Sequence, residues 1–155
     1  MRSLQKKQVA FEHNLCINIA QRKRTFRNDM TATANQFSDF LATLKEHSSR
    51  TALSPARLAD VLELPIQRLA ALAHVHRNTV SMAPGSPKLQ EAMGDVVRVL
   101  SAAHALTGNV DRALFWFRNQ PIADFDHLTA MQLVERGQVQ AVIDYIESIS
   151  GGAAG

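Results

Sequence analysis

The residue types best suited to chemistry gather in one run, Leu69-Ala70-Ala71-Leu72-Ala73-His74-Val75-His76-Arg77-Asn78-Thr79-Val80-Ser81. Arginine pairs bidentately with guanine and asparagine with adenine, while threonine and serine reach phosphate oxygens or thymine methyls. Such contacts require the side chains to stand at the exposed start of a helix that lies in a DNA groove. The surrounding sequence supplies that support. Alanines sit where two helices must touch, Val75 fits a buried position in a turn, and His76 stands at the N-cap of a second helix that begins with Arg77. The pattern predicts a helix-turn-helix with His76, Arg77, Asn78, Thr79 and Ser81 as DNA-binding residues. The competing reading is a helical hairpin whose surface Arg and Asn touch nothing.

Other chemistry finds less support. His74 and His76 are two residues apart across a turn, unlike the i, i+4 helical pair that zinc sites use, and His104 and His127 lie elsewhere. Asp124 and Asp126 flank Phe125 as two solvated loop carboxylates. The seven glycines form no phosphate-cradling run, and Cys16 is a lone cysteine, which excludes an intrachain disulfide and a paired-thiolate site. The expectation is a protein with no catalytic residues, no metal site and no cofactor.

A chain of 155 residues that is 46% hydrophobic has enough apolar material for one domain or two small ones. Its apolar stretches are broken by charges before they reach membrane-span length, and no secretory signal opens the chain, so a cytoplasmic location and no membrane partner are expected. The formal charge is +3, yet it is unevenly placed. Residues 1–29 carry seven Lys and Arg against Glu12 and Asp29, whereas the remainder carries ten basic residues against twelve acidic ones. Overall basicity therefore makes no case for DNA, and the local motif must carry it.

The elements that would position the motif are helical almost throughout. Residues 1–35 read as a weakly ordered basic arm. Two readings of its first 29 residues stay open: a dispensable segment ahead of a start at Met30, and an arm that lies on DNA phosphates. From Gln36, the spacing of Phe37, Phe40, Leu41 and Leu44 lines one helix face. Ser54-Pro55 and Ser86-Pro87 each pair a hydroxyl N-cap with proline at the first helical position. They predict helices over 55–63, followed by 66–73, and over 87–106. Leu89, Met93, Val96, Val97, Leu100 and Ala103 form the buried stripe of the long helix, which Thr107-Gly108 ends. Asn109 caps a helix to about Arg118, Thr129 with Gln132 forms a capping box for a short helix closed by Gly137, and Val139, Val142, Ile143 and Ile146 stripe the last helix. Strand-like alternation is nowhere sustained. The fold class is all-α, with residues 36–106 and 107–155 as two small lobes that meet near residue 107, whether or not they share a core. The repeat of Arg57-Leu58-Ala59 as Arg68-Leu69-Ala70 reads as two similar short helices.

The run from Leu69 to Ser81 resembles the helix-turn-helix of Xre repressors, with His74 where glycine is usual and His76 where serine or threonine usually caps. Further on come Ala113-Leu114-Phe115-Trp116-Phe117-Arg118-Asn119-Gln120-Pro121, then Leu128 to Val134, Gly137, and Val142 to Ile149 ending at Gly151-Gly152. In order and spacing these resemble the toxin-binding domain of Xre/MbcA/ParS antitoxins, with Ala130 in place of the family's proline. The resemblance covers about residues 36–155. It implies an Xre-like helix-turn-helix bundle followed by a small toxin-binding domain, and a function as antitoxin of a type II pair. The partners it implies are a RES-type toxin that destroys NAD and the operator DNA, engaged by a homodimer within a larger complex. The implied toxin contacts are Trp116, Phe117, Asn119, Pro121, Thr129, Ile146, Gly151, Gly152 and Gly155, with the C-terminal tail at the toxin's active site. From the residues themselves, Phe115, Trp116 and Phe117 in succession cannot all face one core. The alternative function is a stand-alone transcriptional regulator or partition-type DNA-binding protein.

Overall fold

The computed structural model describes residues 35–46 and 51–152. The expectations for the basic arm, Cys16 and Gly155 lie outside the described residues. The described residues from Gln36 onward belong to one compact unit. Its class is all-α. Helix α1 is described over 35–44, and α2 (Pro55–Val61), α3 (Ile66–Leu72), α4 (Arg77–Met82), α5 (Pro87–Thr107) and α6 (Val110–Asn119) follow. A two-residue strand β1 (Pro121–Ile122), a 3-10 turn at Ala123–Phe125 and strand β2 (Leu128–Thr129) lead into α7 (Ala130–Glu135) and α8 (Val139–Gly152). Among the described residues, no helix is long and apolar enough to cross a membrane.

Helix α5 organises the core. Leu89, Met93, Val96, Val99, Leu100 and Ala103 are buried along it, and it packs most extensively against α6 and α8. Val97, expected in the stripe, is only half-buried, and Val99 takes its place because α5 has neighbours on more than one side. One cluster of buried side chains runs from Leu44 through Leu58, Leu69, Val80 and Phe117 to Leu133, Val142 and Ile146. The two lobes expected to meet near residue 107 thus draw on one core. Polar ties cross the same line. Arg68 on α3 donates to both carboxylate oxygens of Glu135 on α7, at 2.7 and 3.2 Å. Arg118 on α6 pairs with Glu63 at 2.7 Å and donates to the Leu62 carbonyl oxygen at 3.1 Å.

The helix ends follow local chemistry. Asn109 Oδ1 accepts from the Arg112 N–H at 3.0 Å, Thr129 and Gln132 form the full capping box, and Gly108 (φ 68°) and Gly137 (φ 74°) close their helices left-handed. Ser54 and Ser86 stand at the expected N-cap positions in extended backbone, but neither hydroxyl caps its helix. The prolines at the first helical position therefore carry these starts. The β1–β2 pair was not expected: Pro121 faces Thr129 and Ile122 faces Leu128. Strands of two residues are too short to show alternation, and the turn between them is set by Asp126 and His127, both left-handed.

Among the described residues, His104 is the buried titratable group. Its ring stacks on Phe37 at 5.0 Å, Nε2 has no hydrogen-bond partner, and burial holds its pKa below the ordinary 6.5. A base whose folded pKa is depressed binds protons more readily unfolded than folded. Its contribution to stability is intact above pH 6.5 and is lost as pH falls from there toward the folded pKa. Denaturant midpoints measured across this range should fall with acidification, and His104→Leu should flatten that part of the profile; an unchanged profile would show that His104 does not control it.

Candidate functional site

The α3–turn–α4 segment takes its shape from a glycine-type helix ending made without glycine. The Val75 N–H donates to the Ala70 carbonyl oxygen and the His74 N–H to that of Ala71, each at 3.0 Å, with His74 left-handed at φ 50°. This is the Schellman arrangement. The same pair of bonds recurs at Leu64 to Ala59 and Glu63 to Asp60, with Glu63 at φ 52°. The repeated Arg-Leu-Ala triplets are therefore matched by repeated turns, eleven residues apart in each case. Lys88 at the start of α5 donates to the His74 carbonyl oxygen at 2.9 Å and fastens the second turn to the core helix.

His76 ends that turn in extended backbone, and its Nδ1 accepts from the Asn78 N–H at 3.3 Å. The ring nitrogen thus performs the capping task expected of it. Val80 is buried and anchors α4, which packs on α3. Val75 is half-buried rather than fully enclosed. His76, Arg77, Asn78 and Ser81 are exposed and Thr79 is half-buried. No hydrogen bond or ion pair among the described residues engages the side chains of Arg77 or Asn78. Both are free to meet a ligand.

Two features that composition alone concealed become visible here. From Leu64 to Gln90 the chain holds no Asp or Glu, yet it carries Arg68, Arg77 and Lys88. The rest of residues 36–155 carries twelve carboxylates against seven Arg and Lys. The net acidity thus spares the segment that displays α4, and a window count would have found it. The second feature is Met82, the last residue of α4, which is 85% exposed.

The residues implied as toxin contacts divide. Phe117 and Ile146 are buried in the core, so neither is available to a partner. Helical geometry is the reason: Ala113, Leu114 and Phe117 share the inner face of α6, while Phe115 is turned outward and 60% exposed. Trp116 and Thr129 are half-buried; Asn119, Pro121 and Gly151 are exposed. Gly152 is the last residue of α8, so the two glycines continue the helix. Phe115 lines an open groove of 530 Å³ together with the apolar Val61 and Leu114 and the charged Asp60, Glu63, Asp111 and Arg118.

No family model, curated protein or solved structure matches this chain.

The left-handed turn gives a stability test. A non-glycine residue there costs roughly 1 kcal/mol that glycine avoids, and a β-branched residue fares worse. His74→Gly should leave stability unchanged or raise it by up to about 1 kcal/mol in urea denaturation, and His74→Val should lower it. Equal stability of the two variants would contradict the turn geometry.

Proposed function

We propose that the chain acts by binding, as a helix-turn-helix regulator that reads operator DNA through α4 and as the antitoxin of a RES-type toxin. The observation that carries the DNA reading is the exposed, unpaired Arg77 and Asn78 at the start of α4, behind the left-handed turn at His74. Bidentate recognition of bases needs these residue types held on a fixed backbone. Val80, the His76 cap and the Lys88 tie supply the holding. The stretch from Leu64 to Gln90 has no carboxylate of its own, and although Arg68 is paired with Glu135, Arg77 and Lys88 keep it suited to a polyanion.

The partner half of the proposal rests on the resemblance of residues 107–155 to antitoxin toxin-binding domains. Phe115 supports it, since exposing a phenylalanine to water is unfavourable and aromatic anchors dominate protein interfaces. Phe115 replaces Phe117 and Ile146 in the set of proposed toxin contacts, alongside Trp116, Asn119, Pro121, Thr129 and the glycine tail. The toxin, the operator and a second copy of the chain are the partners in this reading.

Two variants separate the surfaces. Replacing Arg77 and Asn78 together by alanine should remove gel-shift binding to DNA upstream of the gene, at about 1 to 3 kcal/mol for each base contact, while capture of the co-expressed neighbouring gene product persists. Unchanged DNA affinity at matched salt would overturn the DNA reading.

Phe115→Ala should do the reverse: weaken capture of that neighbour and its NAD-protecting effect, with DNA binding and melting temperature retained. A neighbouring product that neither binds the native chain nor consumes NAD would favour a stand-alone regulator.

A further inference from the structure

Helix α4 divides sharply into two sides. At about 100° per residue, Arg77, Asn78, Ser81 and Met82 fall within an arc of roughly 140°, and all four are exposed. Val80 lies outside that arc and is buried. Three of the four exposed residues can donate or accept hydrogen bonds; Met82 cannot donate and is at best a feeble acceptor. At 85% exposure, Met82 is the most exposed large hydrophobic residue described, ahead of Phe115 at 60%. Its chain neighbours Ser81, Ala83, Pro84 and Gly85 are also exposed, and none covers it.

We propose that Met82 reads a thymine, its side chain packing against the C5-methyl group in the major groove; this rests on the reading of α4 as the recognition helix. The charge around it selects that occupant. In the chain, Arg77 and Lys88 stand on either side of Met82 and no carboxylate occurs between Leu64 and Gln90, so this stretch suits a polyanion that carries an apolar group. The thymine methyl is the apolar group a duplex offers in its major groove. Met82 stands five residues beyond Arg77, about 7.5 Å along the helix axis. A helix laid along the groove would carry that rise over roughly two base steps of 3.4 Å, so the thymine is a different base from the one that Arg77 reads. A thioether with three rotatable bonds adjusts to a methyl group at that distance.

Exchanging thymine for uracil removes only the methyl group, which makes a direct test. DNA upstream of the gene is copied with either dTTP or dUTP and titrated, at one salt concentration, with the full chain and with Met82→Ala and Arg77→Ala. The native chain should bind the uracil copy about fourfold more weakly for each subunit bound, the factor for one methyl group withdrawn from an apolar contact. In Met82→Ala that penalty should shrink, whereas in Arg77→Ala it should persist; matched melting temperatures for native and Met82→Ala chains establish that the fold is intact. Equal affinity of the native chain for both copies, or an undiminished penalty in Met82→Ala, overturns the assignment. An undiminished penalty together with loss of dimer in sedimentation would place Met82 between two copies of the chain instead. If the native chain does not prefer upstream DNA to unrelated DNA of equal length, the recognition-helix reading itself falls, and this inference with it.

Discussion

Burial along α5 is the constraint on which the other elements depend. A helix of 21 residues with Leu89, Met93, Val96, Val99, Leu100 and Ala103 enclosed must be covered from several directions. The flanking helices are too short to hold their conformation alone: α2 and α3 have seven residues each, and α4 and α7 have six. Isolated helices of that length are marginal in water, so their stability comes from the apolar faces they place against the shared core. Leu58, Leu69, Val80 and Leu133 are those attachments. The surface of α4 is thus presented by a helix that packing maintains.

The turns between these short helices show how position overrides preference. Glu63 and His74 adopt a conformation in which glycine is more comfortable, yet each closes a pair of Schellman hydrogen bonds. Those bonds satisfy carbonyl groups at the ends of α2 and α3 that would otherwise lack partners. At His74, the Lys88 ammonium adds a further bond to the backbone. Local strain is accepted where several neighbours determine the same geometry.

Much of this was legible in the sequence, for identifiable reasons. Capping chemistry is local, so Asn109, His76 and the Thr129 with Gln132 pair could be read directly, as could the closing glycines at 108 and 137. Ser54 and Ser86 misled because a serine before proline marks a start whether or not its hydroxyl forms the bond. The aromatic run Phe115-Trp116-Phe117 announced that one ring must face outward, but which one depends on the rotation of α6 against α5 and α7. The resemblance named Trp116 and Phe117, whereas packing leaves Trp116 half-buried, encloses Phe117 and turns out Phe115. Likewise, the short strands around Ala123–Phe125 depend on pairing across a turn, which sequence periodicity does not encode at that length.

The shared core has a thermodynamic corollary for the two surfaces attached to it. Loss of the core releases α4 and the outer face of α6 together, because Val80 and Phe117 belong to the same buried cluster. A molecule held on either surface then stabilises the whole unit. One present at a hundred times its dissociation constant adds about 2.7 kcal/mol, which lowers the unfolded fraction roughly a hundredfold. Proteases that cut only the opened chain are slowed by the same factor when opening and closing are fast. Occupancy of one surface thereby governs how long the other survives.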